Sequence, residues 1–210
     1  GDAERTLAAP VTFSPNGDGN KDTLRIEQQG SSEDRWTAEF RNVLDTVVRT
    51  RTWELSSPQS FSWNGRNDSD EQVPDGVYRY VLSSQDRAGN RTTVAVDNIV
   101  VDTATTPITI DASTATFSPN GDGRLHTVTF SPQVPITRGI QRWALIITDS
   151  AGEAIRTYTD VRVVPPAITW NGLNQQRTVA PEGSYQATLT ITYENGNQPQ
   201  AAAPPVSIDV

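Results

Sequence analysis

The segment Asn16-Gly17-Asp18-Gly19-Asn20-Lys21-Asp22 places an oxygen-bearing side chain at every second residue. A looping backbone with that spacing can wrap several oxygens round a hard cation, as calcium requires. Asn16, Asp18, Asn20 and Asp22 are thus candidate ligands for one calcium ion. Glu27 stands where an EF-hand carries its bidentate carboxylate. However, Lys21 fills the position such a loop reserves for glycine, no helical pattern flanks it, and Glu27 falls in strand-like sequence. The loop is therefore not an EF-hand. The same residues also suit a pair of Asx-type turns whose glycines supply positive φ before a strand, and both readings stay open. A second loop keeps Asn120 and Asp122 but has Arg124 and His126 at the next two alternate positions. Its carboxylate charge is too low, and no metal is expected there.

Other reactive types are sparse. His126 is the only histidine and cysteine is absent, which removes thiolate chemistry and the usual zinc sites. No Gly-x-Ser-x-Gly elbow accompanies His126, so it reads as a surface or strand-edge residue. Asp68, Asp70 and Asp75 lie in turn-rich sequence rather than facing across a cleft, as a glycosidase pair must. No glycine-rich loop enters a helix to cradle phosphate. Of the tryptophans, Trp36, Trp143, Trp63 and Trp170 read as core, because large aromatics dominate small cores; Trp53 reads as partly exposed. No catalytic residue and no enzymatic function are expected.

The positioning elements are strands. Tyr78, Tyr80 and Leu82 alternate with Val77, Arg79 and Val81, and Tyr185, Ala187, Leu189, Ile191 and Tyr193 alternate with threonines. Runs 36–40 and 143–147 alternate likewise, and period two with β-branched and aromatic residues marks strands. Asp86-Arg87-Ala88-Gly89-Asn90, Asp149-Ser150-Ala151-Gly152-Glu153 and Glu194-Asn195-Gly196-Asn197 read as hairpin-like loops. No window holds a helical period over three turns.

The chain repeats itself. Phe13-Ser14-Pro15-Asn16-Gly17-Asp18-Gly19 returns at 117–123, an offset of 104 residues. Arg35-Trp36 and Trp63-Asn64-Gly65 return 107 residues on as Arg142-Trp143 and Trp170-Asn171-Gly172. Val73-Pro74-Asp75-Gly76-Val77-Tyr78 returns near Val179–Tyr185, and Arg51-Thr52-Trp53 finds its match in Arg156-Thr157-Tyr158. The 210 residues therefore divide into repeats 1–104 and 105–210. The joint, near Asp102–Pro107, is short, polar and proline-ended, and limits interdomain swing more than a Gly/Ser tether would. About seven short strands per repeat predicts an all-β chain of two tandem immunoglobulin-like or fibronectin-III-like β-sandwiches.

Net charge is −8, with no basic footprint for nucleic acid. No apolar run is long enough to span a bilayer. The opening Gly1-Asp2-Ala3-Glu4 leads quickly into strand-like sequence, as in a piece of a longer protein. The motifs Phe-Ser-Pro-Asn-Gly-Asp-Gly, Trp-Asn-Gly, Pro-Asp-Gly-Val-Tyr-Arg-Tyr and Asp-Arg-Ala-Gly-Asn together resemble the immunoglobulin-like domain of the flagellar hook-capping (FlgD) type, which recurs in bacterial surface and periplasmic proteins. The second repeat departs from it after Asn-Gly-Asp-Gly and at Tyr193–Asn197. The resemblance implies a structural or adhesive spacer of a bacterial envelope protein, whether periplasmic, outer-membrane-associated or at the cell surface. Its expected partners are proteins or further domains of the same chain, with neither nucleic acid nor direct membrane insertion. The alternative is an ancillary carbohydrate- or peptide-binding module of a secreted enzyme.

Overall fold

A computed structural model describes residues 4–5, 11–86, 88–120 and 125–209. Contacts divide the chain into two compact units, Gly1–Ala104 and Thr105–Val210. Every regular element among the described residues is a strand. Unit 1 contains β1 (Glu4–Arg5), β2 (Val11–Phe13), β3 (Leu24–Ile26), β4 (Gln28–Gln29), β5 (Glu33–Arg41), β6 (Val47–Ser56), β7 (Phe61–Trp63), β8 (Gly76–Gln85) and β9 (Arg91–Val101). Unit 2 contains β10 (Thr109–Ala112), β11 (Thr116–Phe117), β12 (Val128–Gln133), β13 (Ile140–Thr148), β14 (Ala154–Val161), β15 (Ile168–Trp170), β16 (Gly183–Tyr193), β17 (Gln200–Ala202) and β18 (Val206–Ile208).

Each unit is a sandwich. In unit 1 the sheet β2-β9-β8-β5-β6 packs over the pairs β3-β7 and β1-β4; in unit 2 the sheet β11-β18-β16-β13-β14, with β17 on β16, packs over β10-β12-β15. In both, an opening strand runs parallel to the closing one: Val11 pairs with Ile99, and Thr116 with Ser207. The alternation seen in sequence becomes burial. Tyr78, Tyr80 and Leu82 face the first core, and Tyr185, Ala187, Leu189 and Ile191 the second. Trp36 and Trp170 are 0% exposed, Trp63 2% and Trp143 5%.

The two repeated motifs meet in space. Phe13 lies 5.5 Å from Trp63, which meets Tyr78 edge-on at 5.6 Å. Phe117, Trp170 and Tyr185 repeat the arrangement edge-on at 5.3 and 5.1 Å. Pro15 covers Gly65, and Pro119 covers Gly172: a Cβ on either glycine would come within 2.6 or 2.8 Å of the proline ring. Both glycines also carry positive φ, 69° and 74°. The glycine of Trp-Asn-Gly is thus required by backbone conformation and by close approach together. The indole N–H groups turn the loop that follows, donating to the Arg66 carbonyl at 2.9 Å and the Leu173 carbonyl at 2.9 Å.

The strand registers correct one sequence match. Phe40 pairs with Arg49 and Ile147 with Arg156. Arg49-Thr50-Arg51 is therefore the counterpart of Arg156-Thr157-Tyr158, and Trp53 corresponds to Asp160 rather than Tyr158. A slip of two residues keeps every side chain on its face, so alternation cannot detect it. A smaller correction concerns Glu27, which occupies the one-residue break between β3 and β4 and is exposed.

Gly65→Ala and Gly172→Ala are each expected to destabilise their own unit by about 2–5 kcal/mol, the sum of left-handed strain and overpacking. Gly152→Ala shares the positive φ but has open space round its Cβ, and should lose only about 1–2 kcal/mol. Urea unfolding of the three variants checks the order.

Candidate functional site

The four candidate ligands share one turn, and the side-chain oxygens of Asn16, Asp18 and Asp22 are turned inward to its own amides. The Asn16 Oδ1 accepts the Asp18 N–H at 3.0 Å, and the Asp18 Oδ1 accepts the Asn20 N–H at 2.9 Å. Both oxygens of Asp22 are engaged, by the N–H groups of Gly17 at 2.7 Å and Gly19 at 2.8 Å. The Ser14 N–H closes the loop onto the Lys21 carbonyl at 2.9 Å. Lys21 itself adopts φ 53°, so the sharp bend is made despite the side chain. Calcium takes six to eight oxygens. This loop offers two carboxylates, and one of them already spans two backbone donors. Among the described residues no group of three or more His, Cys, Asp or Glu side chains is gathered to hold a metal ion. The arrangement fits the Asx-turn reading, in which the carboxylates act as braces. The second loop is closed in the same way, Ser118 N–H to the Leu125 carbonyl at 2.9 Å, with Leu125 at φ 47°. Asp122 and Arg124 lie outside the described residues.

The remaining candidates also hold structure. His126 is half-buried with Nδ1 3.2 Å from the Ser118 carbonyl. Asp68 caps the edge strand β6: its N–H donates to the Val48 carbonyl at 3.0 Å and its Oδ1 accepts the Thr50 N–H at 3.0 Å. Gln175 does the same for β14, bonding Ile155 at 2.9 Å and Thr157 at 3.2 Å. The Asp75 Oδ1 accepts both the N–H and the hydroxyl of Thr103, at 3.0 and 2.7 Å. Asp70 sits in its turn at φ 61°. Two matched tyrosine clasps were not among the candidates. The Tyr78 hydroxyl donates to the Pro74 carbonyl at 2.7 Å, and the Tyr185 hydroxyl to the Pro181 carbonyl at 2.6 Å. Burial raises both phenol pKa values, and Asp75 adds to the shift at Tyr78, so the donors stay protonated. Their Pro-x-Gly-x-Tyr spacing was the available signal.

Two of the surface hollows of unit 1 gather charged side chains. One, of about 700 Å³, is lined by Ser32, Glu33, Asp34, Leu55, Asp86 and Ala88. Three carboxylates and the Ser32 hydroxyl line it, and the Asp86 carboxyl is held below its usual pKa by hydrogen bonds from Asn90. The other, of about 260 Å³, opens between β6 and β7 and includes Arg49, Arg51, Phe61 and Asn64. The Arg51 guanidinium lies 5.0 Å above the Phe61 ring and 5.9 Å from the half-buried Trp53 ring.

Residues 7–96 match the family model described as the CHU_C type IX secretion signal domain. That match covers most of unit 1 and less than half of the chain. No curated protein matches the chain. Among solved structures, a Ca2+-stabilised adhesin by which an Antarctic bacterium binds ice is similar with TM-score 0.50 and 16% identity, over 99% of this chain and 48% of that one. Fibronectin(III)-like modules of Clostridium thermocellum CbhA are similar with TM-score 0.45 and 15% identity, over 97% and 94%. A tetra-tandem repeat from the extending region of a large adhesion protein is similar with TM-score 0.35 and 17% identity, over 96% and 47%. The chain thus spans about half the length of the two adhesin structures. At these identities the likeness is one of fold, and the fold is an all-β, immunoglobulin- or fibronectin-III-like sandwich, present twice.

Asp22→Ala should weaken unit 1 by about 1.5–3 kcal/mol, the scale of hydrogen bonds to a charged acceptor, whereas a chelator should leave the unmodified chain's melting temperature unchanged. A fall in melting temperature on chelation, restored by calcium, would reinstate the ion at Asn16, Asp18, Asn20 and Asp22.

Proposed function

We propose that the chain is a non-catalytic spacer and adhesive module of a larger bacterial envelope protein, built from two immunoglobulin-like repeats of the hook-capping type. One observation carries this reading: the side chains whose types and spacing could have done chemistry are spent on closing turns and capping strands. Asp22 braces a loop, Asp68 caps an edge strand, and His126 bonds a carbonyl. A hydrolase needs a nucleophile, a base and a cleft that brings them together, and these groups are committed elsewhere.

Two comparisons support the setting. The match of residues 7–96 to a type IX secretion signal domain supports export and a place at the cell surface. The fold shared with an ice-binding adhesin supports an adhesive role for tandem modules of this kind. Partners in this reading are proteins or further domains of the same chain, met through loops and faces. Strand addition is disfavoured where Asp68 and Gln175 already occupy the edges of β6 and β14.

Pulling single 210-residue chains by their termini tests the spacer role. Two separate unfolding events are expected, one for each repeat. Extension without a resisting peak, or one concerted event, would overturn it.

A further inference from the structure

The two repeats treat the open side of the sandwich differently, and the difference points to a ligand. In unit 2 the seam between β14 and β15 is bridged: the Tyr158 hydroxyl donates to the Thr169 carbonyl at 3.2 Å. The matched positions in unit 1 are Arg51 on β6 and Ser62 on β7. Arg51 makes no such bridge. Its guanidinium rests on the Phe61 and Trp53 rings, and the cleft of about 260 Å³ lies open there.

We infer that this cleft binds a carboxylate carried on a six-membered ring, that is, an acidic sugar residue of a polysaccharide. Arg51 supplies a guanidinium with no carboxylate partner among the described residues, in a chain of net charge −8. Arg49 stands beside it, held by its bond to the Asn67 carbonyl at 2.7 Å and only 3.8 Å from Asp68. With Arg49 already paired to Asp68, the planar Arg51 fork is the group available to take a carboxylate. The Phe61 ring is buried beneath Arg51 and holds the guanidinium in place, and Thr50, Ser62 and Asn64 line the cleft with polar groups for ring hydroxyls. The volume falls below the usual range for a drug-sized ligand, so a single residue of a longer chain is the fitting occupant. An entering peptide strand is disfavoured because Asp68 already bonds Val48 and Thr50 along this edge. Inward-facing charges on an edge strand also oppose aggregation, but that role does not call for an aromatic floor beneath them.

The inference rests on the adhesive half of the proposed function and adds a polysaccharide to its protein partners. The test titrates trigalacturonate into the full chain by calorimetry, with the neutral galactose trimer and a glutamate-rich peptide as competitors. One site per chain is expected, weakening as salt rises and at least tenfold tighter than for the neutral trimer. Arg51→Tyr, which copies the closed seam of unit 2, should keep the melting temperature and lose at least tenfold in affinity. Arg51→Gln gives the same reading if the tyrosine variant melts early. No heat with trigalacturonate, equal binding of the neutral trimer, tighter binding of the peptide, or undiminished binding by both Arg51 variants would each overturn it. If sugar binding fails while two unfolding events persist under force, the spacer role stands and this inference alone falls.

Discussion

The fold of each unit turns on one contact: a proline ring seated on a glycine that has no room for a side chain. Pro15 on Gly65, and Pro119 on Gly172, tie the chain's opening loop to the strand end that carries Trp63 or Trp170. With that contact made, the phenylalanine before the proline reaches the tryptophan, and the tryptophan reaches the tyrosine of the next long strand. Three segments distant in sequence are thereby fixed at one end of the core. Close packing makes such a contact sensitive to a single added carbon.

The carboxylates serve the same end. A turn as tight as residues 16–22 leaves several amides with no strand partner, and side-chain oxygens of the same turn accept four of them. Asp22, Asp18 and Asn16 pair them. Edge strands raise the same problem on a larger scale, and the loops after the tryptophans answer it through Asp68 and Gln175. What differs between the units is the seam. Tyr158 closes it in one, whereas Arg51, Phe61 and Trp53 leave it open in the other.

Much of this was legible in the sequence. Period two gave the strand faces, so the core tyrosines and tryptophans could be named. The repeats were plain because Phe-Ser-Pro-Asn-Gly-Asp-Gly and Trp-Asn-Gly are long enough to match by themselves. Two things were hidden. That these motifs touch is a matter of tertiary approach, which no local pattern encodes. The match of Trp53 to Tyr158 failed because a strand slipped by two residues looks the same to its alternation; only the pairing of Phe40 with Arg49 settles it. The oxygen spacing at 16–22 was ambiguous for a physical reason: a cation and a backbone amide both seek the same oxygens.

The repeated motifs form a packing lock at one end of each core. A double-mutant cycle of Pro15→Ala and Gly65→Ala measures it most directly by denaturant unfolding. A coupling of at least about 1 kcal/mol is expected, with the glycine substitution costing much less once the proline ring is gone. Additive costs would contradict it.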